Sequence, residues 1–299
     1  MPSWKAESML LLMTVIWGAT FLFIKLGLDF TGPFLYLIMR FLIAIVLTVV
    51  VFWKKLNFND PVLIKNGLLL GAIFGIGFIL QTIGLEHTTI QKSAFITGLT
   101  VVITPFTFKL LSKRDILLFS KIGVVIAFVG LYIFTDPDFN DINKGDVYTF
   151  LSTFCWAIFI PLLDKFTNEN KTKNLTINLV FLQLVSMLFV VTLGFFIFEY
   201  NSAFIIWDSN LIISVLFNGI LASFVLMFIH TNFQKYTTPV KAALIFSLEP
   251  IFAAGFALIF LGEYLSRVEF IGAIVLFSGV LISELGRPML NMLKIGTSN

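Results

Sequence analysis

Glu249 is the strongest candidate for chemistry in this sequence of 299 residues. Thr238 and Pro239 are residue types preferred at the N-cap and the first position of a helix. At 1.5 Å per residue, Glu249 then lies about 15 Å along the helix, halfway through a hydrocarbon layer of about 30 Å. A carboxylate at that depth needs a partner, a proton or water. We expect it to bind a cationic or hydrogen-bond-donating group or to carry a proton; a structural glutamate bonded to neighbouring helices is the alternative.

Three threonines and two prolines add polar groups and helix breaks. Thr97, Thr100 and Thr104 are three and four residues apart, so they form a polar stripe on one helix face. This stripe could line a cavity or hydrogen-bond to neighbouring helices, and the spacing does not decide between the two. Pro105 and Pro250 lack a backbone N–H and leave a helical carbonyl without its donor. We expect each proline to mark a break or hinge.

Aromatic and amide side chains complete the candidate site. Trp17 and Trp156 lie well inside apolar runs, which suggests aromatic walls for an organic substrate, although ordinary packing explains them equally well. His230 could titrate near neutral pH and act as a gate, although a histidine near a helix end is more often solvated. The predicted substrate-binding residues are Glu249, Trp17, Trp156, Thr97, Thr100, Thr104, Gln81, His230, Phe21 and Ser247.

Arg40 is predicted to be structural. It lies about 10 Å inside its apolar run, too deep to be unpaired, and we expect an ion pair with Glu86, Glu263 or Glu249; substrate binding is the less favoured alternative. The single cysteine, Cys155, excludes an internal disulfide and a CxxC metal or redox site. No motif for nucleophilic, metal-dependent or phosphate-binding chemistry is present, so we expect no catalytic residue, metal or cofactor.

The composition excludes a soluble globular protein. Hydrophobic residues make up 58% of the chain and charged residues 12%, and the mean hydropathy is +0.98. A soluble domain is about 25% charged, so this chain would expose more apolar area in water than it could cover. A bilayer accepts that area, and the lipid bilayer is the expected partner. The net charge of +3 is small, and we expect no nucleic-acid partner.

Ten apolar runs approach the roughly 20 residues that a spanning helix needs. The runs cover residues 9–28, 34–53, 66–86, 90–111, 116–134, 147–165, 175–199, 210–233, 239–262 and 268–286. The first has no small-residue cleavage site and is predicted to be a retained span. Lys and Arg concentrate in the segments on the side of the N-terminus, which predicts that both termini are cytoplasmic. The fold class predicted is an all-α membrane protein with ten transmembrane helices.

The chain repeats itself at an offset of 149 residues. IGVVIAFVGLYI at 122–133 matches IGAIVLFSGVLI at 271–282, and Trp17 matches Trp156 at the shorter offset of 139. The offset of 149 also pairs Gln81 with His230, Thr88 with Thr237, and Lys92 with Lys241.

Five spans per copy would make the two copies inverted. A copy with an odd number of spans must enter the membrane from the opposite side, which gives a pseudo-two-fold axis in the membrane plane. The predicted organisation is a first repeat at 1–135, an outer linker at 136–146, a second repeat at 147–288 and a cytoplasmic tail at 289–299. The alternative is that the duplication only builds a stable bundle.

Four stretches resemble the EamA family of the drug/metabolite transporter superfamily. They are WGATFLFIKLGL at 17–28, TTIQKSAFITGLTVVITP at 88–105, KYTTPVKAALIFSLEPIFAAGFALIFLGEYLS at 235–266 and IGAIVLFSGVLI at 271–282. The resemblance covers about residues 8–286. It implies a ten-span inner-membrane exporter or permease of small organic metabolites. It also implies a central cavity lined mainly by spans 3, 4, 8 and 9, with parts of 1 and 6. The two halves differ in sequence at the ends of these spans: the first half has Lys-Arg-Asp at 113–115 where the second has Gly-Glu at 262–263.

The leading hypothesis is a bacterial inner-membrane transporter, an exporter of metabolites such as amino acids, working by alternating access between inverted repeats. A membrane-embedded enzyme is the rival, but it would need a convergent catalytic set that the sequence lacks. A structural membrane protein is the third option, and it would not need an acid at mid-span. Proton coupling and facilitated diffusion are both open, and the sequence does not define the substrate or the oligomeric state.

Overall fold

The computed structural model is an α-helical bundle. It describes residues 1–135, 142–170, 172–261 and 264–296, with side chains except at 257, 260, 261 and 284–296. The helices are α1 (Ser3–Leu28), α2 (Pro33–Phe52), α3 (Pro61–His87), α4 (Ile90–Gly98), α5 (Thr100–Ser112), α6 (Leu118–Thr135), α7 (Lys144–Glu169), α8 (Leu175–Phe198), α9 (Ser209–Leu216), α10 (Leu226–Phe233), α11 (Pro239–Phe246), α12 (Glu249–Leu261) and α13 (Arg267–Gly296). A π-helical stretch, Phe217–Val225, joins α9 to α10. An isolated β-bridge joins Thr31 and Ile205.

The surface of the bundle is built for lipid. Within the described residues, nine helical stretches are long and apolar enough to cross a membrane. Large apolar side chains on them point outward; Leu110 is 78% exposed and Phe198 is 74% exposed. Leaving such area in water costs about 25 cal/mol per Å², a cost that lipid removes. The chain is therefore a multi-pass membrane protein, as its composition predicts.

The helices run between two ends of the bundle. The first end holds the start of α1, where Glu7 accepts a hydrogen bond from Thr237, between α10 and α11. The second end holds the end of α1, where the Lys25 ammonium donates to the carbonyls of Leu85 (2.7 Å) and Thr88 (3.2 Å). Helices α1 and α3 therefore run in the same direction, and α2 returns between them.

Helix α7 includes the last three residues of the linker predicted at 136–146. Helix α7 already begins at Lys144 because the Asn143 side chain accepts hydrogen bonds from N–H groups of its first turn. In return, the Asp146 carboxylate accepts from the Asn143 N–H at 3.1 Å, which completes a capping box. Residues 136–141 of the linker lie outside the described residues.

The tail predicted at 289–299 is also largely helical, because α13 continues to Gly296. Polar residues there lower the apolar content without breaking the helix, so the end of the hydropathic run did not mark the end of the helix. Residues 297–299 lie outside the described residues.

Two spans are interrupted. Helix α4 gives way to α5 at Leu99, and α11 gives way to α12 at 247–248. Pro250 lies in the first turn of α12, beside its break. The hinge predicted at Pro105 does not mark the break of its own span, because this proline lies inside α5. The break instead follows Gly98, whose helix propensity is low, whereas a proline in a packed span removes a single backbone bond.

A third proline is supported by a neighbouring helix. Pro161 lies inside α7 and leaves the carbonyl of Ala157 without its helical donor. The Thr107 hydroxyl of α5 donates a short hydrogen bond to that carbonyl. Helix α5 therefore satisfies the backbone group that α7 cannot satisfy itself.

Asp60 ties the start of α3 to the α7–α8 connection. Its carboxylate accepts from the backbone N–H of Val62 at 2.9 Å and from the Thr172 hydroxyl at 2.9 Å. These bonds, chiefly the one from Thr172, hold the pKa of Asp60 below its usual range.

Glycines bring α6 and α13 into backbone contact. A Cβ at Gly130 would lie 2.1 Å from the backbone nitrogen of Leu276, and one at Gly272 would lie 2.2 Å from that of Phe134. No larger residue fits at these approaches without a shift of the backbone, so the glycines allow the two helices to pack closely. The glycines of this contact are Gly123, Gly130, Gly272 and Gly279.

Candidate functional site

A cavity lies inside the bundle and is lined by both interrupted spans. The predicted walls all contribute, and α2 adds Arg40. The predicted residues that line the cavity are Glu249, Trp17, Trp156, Thr97, Thr100, Gln81, His230 and Ser247.

The two helix breaks put polar groups into the cavity. Thr100 and Glu249 are the first residues of α5 and α12, and both face the cavity. Beside each break a hydroxyl bonds to the backbone: Thr100 donates to the Thr97 carbonyl and Ser247 to the Leu244 carbonyl, each at 2.7 Å. These bonds satisfy carbonyls near the ends of α4 and α11, so the breaks are stable inside the bundle.

Glu249 reaches the cavity without a protein partner. It is 9% exposed, and within the described residues it has no hydrogen bond or ion pair. Gly18 makes this position possible, because a Cβ there would lie 3.1 Å from the carbonyl oxygen of Glu249 and 2.8 Å from the Cβ of Phe252. Helix α1 therefore packs directly on the first turn of α12, next to Trp17.

Arg40 has no carboxylate partner at the predicted positions. Its Nε donates to the Ser223 hydroxyl at 2.6 Å, and its guanidinium lies 4.4 Å from the centre of the Phe78 ring. No ion pair forms with Glu86 or Glu249, and Glu263 lies outside the described residues. The structural ion pair is thus absent from the part of the chain described, because the π-helical stretch offers Arg40 a hydroxyl instead.

Aromatic rings form much of the cavity wall. The Trp17 ring meets Phe246 edge-on, with centroids 5.3 Å apart. The Trp156 ring meets Phe74 at 4.7 Å and Phe78 at 5.1 Å, again edge-on. The two tryptophans therefore both belong to the aromatic wall of the cavity.

His230 is buried rather than solvated, contrary to expectation. It is 1% exposed and packs edge-on against Trp17, with centroids 5.6 Å apart. Its Nε2 lies 2.5 Å from the Oε1 of Gln234, whose amide donates to the Ile160 carbonyl at 2.6 Å. The span continues past His230 to Tyr236, which places the histidine inside the bundle instead of at its rim.

The remaining predicted residues divide between wall and core. Gln81 donates to the Thr97 hydroxyl at 3.1 Å, and both line the cavity. Thr104 is fully buried outside the lining, and its hydroxyl donates to its own helix at the Thr100 carbonyl, 2.8 Å away. Phe21 is a core residue and is 1% exposed. The stripe therefore both lines the cavity and bonds within its helix.

Several wall residues were not predicted. They are Thr20, Phe74, Phe78, Gly98, Phe159, Ile160, Ala243 and Phe246. The phenylalanines are four of 36 in the chain, and their residue type alone does not distinguish them. Proximity was a usable signal for all of these residues except Phe74, because each of the others lies within five residues of a predicted cavity residue on the same span.

Three buried nitrogen atoms at the cavity have no partner within the described residues: Nη1 of Arg40, Nε1 of Trp156 and Nδ1 of His230. Buried polar groups are usually satisfied, so these atoms are free to bind a ligand or water. Within the same residues, no group of three or more His, Cys, Asp or Glu side chains could hold a metal ion.

Membrane transport proteins commonly have a lipid-facing helical bundle around a partly polar cavity. The sequence profile of the EamA-like transporter family matches residues 4–135 and 143–285. The chain belongs to this family, and it is a transporter and not an enzyme.

Two relatives agree with this assignment, and a solved structure shows the same fold. An "Uncharacterized transporter" of Archaeoglobus fulgidus is 32% identical over 94% of this chain and 86% of its own length. A "Probable amino-acid metabolite efflux pump" of Escherichia coli is 24% identical over 96% of this chain and 97% of its own. A crystal structure at 12% identity has a TM-score of 0.75 and covers 94% of this chain and 98% of that one, so it has the same fold.

Proposed function

We propose that this protein moves small organic metabolites such as amino acids across the bacterial inner membrane by alternating access, in the direction of export. The observation that carries the proposal is the cavity with an unpaired carboxylate at the interruption of one of two matched spans. Discontinuous helices that meet near mid-membrane form the substrate sites of many secondary transporters. Amino acids and the direction are supported by the name of the Escherichia coli relative.

The first support for inverted halves is the reciprocity of the α6–α13 contact. Gly130 approaches Leu276, and Gly279 approaches Ala127. An offset of 149 converts the first pair into the second, since Gly130 matches Gly279 and Ala127 matches Leu276. Exchange of partners in this way is expected across a two-fold axis. We therefore take α13 as the tenth span, with the axis passing between it and α6.

Two matched clusters at opposite ends of the bundle provide the second support. The first-end clasp consists of Glu7, Thr237 and Lys241. The Thr237 hydroxyl donates to the Glu7 carboxylate at 2.9 Å, and the Lys241 ammonium lies 3.5 Å from it. It joins α1 of the first half to the α10–α11 junction of the second half.

The second-end clasp consists of Asp146, Thr88 and Lys92. The Thr88 hydroxyl donates to the Asp146 carboxylate at 2.5 Å, and the Lys92 ammonium lies 3.9 Å from it. It joins α7 of the second half to the α3–α4 junction of the first half. The repeat offsets relate the clasps residue by residue: 139 links Glu7 to Asp146, and 149 links each threonine and each lysine.

The clasps fit the mechanism because they lie at opposite ends of the bundle, with the cavity between them. Glu7 and Asp146 are each ten residues from the cavity tryptophan of the same helix, or about 15 Å. Opening one clasp would separate the halves at that end, while the other clasp holds the opposite end closed. The first end is cytoplasmic in this proposal, and both termini lie there.

Counterflow in proteoliposomes tests the function. Vesicles loaded with unlabelled L-leucine should accumulate radiolabelled L-leucine transiently, and the uptake should saturate and be competed by related amino acids. An enzyme or a structural protein would give no counterflow, and a channel would give no saturation. Absence of counterflow for every amino acid tried would refute the proposal for this substrate class.

A further inference from the structure

Arg40 is a buried charge that the protein leaves incompletely paired. Its side chain is 1% exposed, and a guanidinium cannot lose its charge in a protein. The Ser223 hydroxyl accepts a hydrogen bond from Nε of Arg40. The guanidinium carbon lies 4.4 Å from the centre of the Phe78 ring and 5.6 Å from that of the Phe41 ring, which are cation–π contacts. Nη1 has no partner. Burying an unpaired charge is costly, so this guanidinium favours an anionic partner.

The guanidinium is fixed in place by the π-helical stretch. Gly219 allows that stretch to lie against α2, because a Cβ there would be 2.9 Å from the Cβ of Ile43 and 3.2 Å from the Arg40 carbonyl. Ser223, one turn further on, holds the Nε edge. The wide turn of a π-helix commonly occurs at functional sites. Arg40 is therefore positioned to present its remaining N–H groups to the cavity that it lines.

Glu249 is the opposite charge in the same cavity, and the two do not meet. Both side chains line the cavity, and neither forms an ion pair within the described residues. Arg40 is tethered on α2 by Ser223, and Glu249 is fixed at the first residue of α12. Because the two charges are held on different walls, a ligand with one charge could neutralise only one of them.

We propose that Arg40 and Glu249 together form a receptor for a zwitterion, in which Arg40 binds the carboxylate and Glu249 binds the ammonium group of an α-amino acid. The guanidinium suits a carboxylate, which it can bind through two parallel hydrogen bonds. The ring-lined walls around Phe74 and Trp156 accept an apolar side chain. This assignment rests on the proposed function and makes Arg40 a substrate-binding residue rather than a structural one.

Three probes that differ by one charge test the receptor. They are L-leucine, isoamylamine, which lacks the carboxylate, and isocaproate, which lacks the amine. Binding is measured calorimetrically on the purified full chain in detergent. L-leucine should bind at least about 10-fold more tightly than either analogue, since each lost contact is a hydrogen bond to a charged group.

The variants should divide the probes in a crossed pattern. Arg40→Gln should lower the binding affinity for L-leucine and isocaproate by about 10- to 100-fold and should change the affinity for isoamylamine by less than about 3-fold. Glu249→Gln should weaken L-leucine and isoamylamine and spare isocaproate. Arg40→Lys should retain part of the affinity for isocaproate, because lysine keeps the positive charge but cannot form the two parallel hydrogen bonds of a guanidinium. Ser223→Ala, which keeps the charge and removes its anchor, should weaken L-leucine less than Arg40→Gln.

The outcomes separate this inference from the transport proposal. Equal loss of all three probes in Arg40→Gln would indicate a structural role and overturn the receptor, as would absence of L-leucine binding by the folded wild type. If L-leucine counterflow occurs and Arg40→Gln leaves it unchanged, transport stands and the receptor fails. If the crossed pattern is found and vesicles show no counterflow, the receptor stands and transport fails.

Discussion

Breaking one clasp should open one end of the cavity and leave the other end closed. Glu7→Gln removes the charge of the first-end clasp but keeps an oxygen that can accept from Thr237. Asp146→Asn makes the same change in the second-end clasp. If the clasps are gates, the first variant favours the state open at the first end, and the second variant favours the state open at the second end.

The size of the shift follows from the contacts. Each clasp has one ion pair, and the four charged side chains are between 10% and 25% exposed, so the pairs are only partly screened. A hydrogen bond to a charged group contributes about 1.5–3 kcal/mol, and its neutral replacement retains part of this. We expect a net loss of about 1–2 kcal/mol per variant, which changes the ratio of closed to open states by about 5- to 30-fold.

Accessibility of a cavity cysteine measures the shift. Ala243 lines the cavity and is small, so Ala243→Cys in a Cys155→Ala background introduces one reporter thiol. Membrane-impermeant maleimide is applied to right-side-out and to inside-out vesicles, which expose opposite ends. Glu7→Gln should speed labelling from the first end only, and Asp146→Asn from the second end only. Glu86→Gln, an exposed acid at the second end outside both clasps, should change neither rate.

Two results would refute the reasoning. Equal acceleration from both sides in one variant would mean that the substitution loosens the whole bundle. Unchanged labelling in both variants would mean that the clasps are surface contacts with no role in closing the cavity.

Three further predictions concern stability, measured as the midpoint of thermal denaturation in detergent. Gly130→Ala should destabilise by about 1–3 kcal/mol because a backbone atom blocks its Cβ, whereas Gly255→Ala, with nothing within 4 Å, should be neutral or slightly stabilising. Thr107→Val should cost about 1–3 kcal/mol by leaving a buried carbonyl unsatisfied, and Thr48→Val, whose hydroxyl bonds within its own helix, should cost less. Because the pKa of Asp60 is lower in the folded protein, the ionised carboxylate stabilises the fold at pH values above its unfolded pKa, and this stabilisation is lost as the pH falls through the folded pKa. The denaturation midpoint should therefore fall less between pH 6 and about pH 3 in Asp60→Asn than in the wild type. An equal fall in both proteins would contradict this.

The sequence predicted the membrane class and about half of the residues that line the cavity, because these depend on local signals. Apolar runs identify spans whatever their packing, and Glu249 is unusual in any apolar run. The internal repeat singled out Trp17 and Trp156, and both line the cavity. The repeat contains a further signal, because the offset that pairs the tryptophans also pairs Glu7 with Asp146, the carboxylates of the two clasps.

The failures concern contacts between distant segments. Charge alone predicts a carboxylate partner for Arg40. The actual partner, the Ser223 hydroxyl, lies on a π-helical stretch that has no sequence signature. His230 was placed near the rim because the apolar run ends soon after it, but the helix continues. The break predicted at Pro105 instead lies at Leu99, after Gly98. A proline removes only one backbone hydrogen bond, whereas Gly98 and the packing around it determine where the helix ends.

The most direct measurement of the central claim is L-leucine counterflow by Glu249→Gln compared with Glu86→Gln in the same liposomes. The two variants make the same chemical change, one in the cavity and one at an exposed position. Loss of the cavity carboxylate should lower counterflow at least about 10-fold, because a charge-assisted bond to the substrate disappears, and the exposed change should have little effect. Wild-type counterflow in Glu249→Gln would contradict a transport pathway through this cavity.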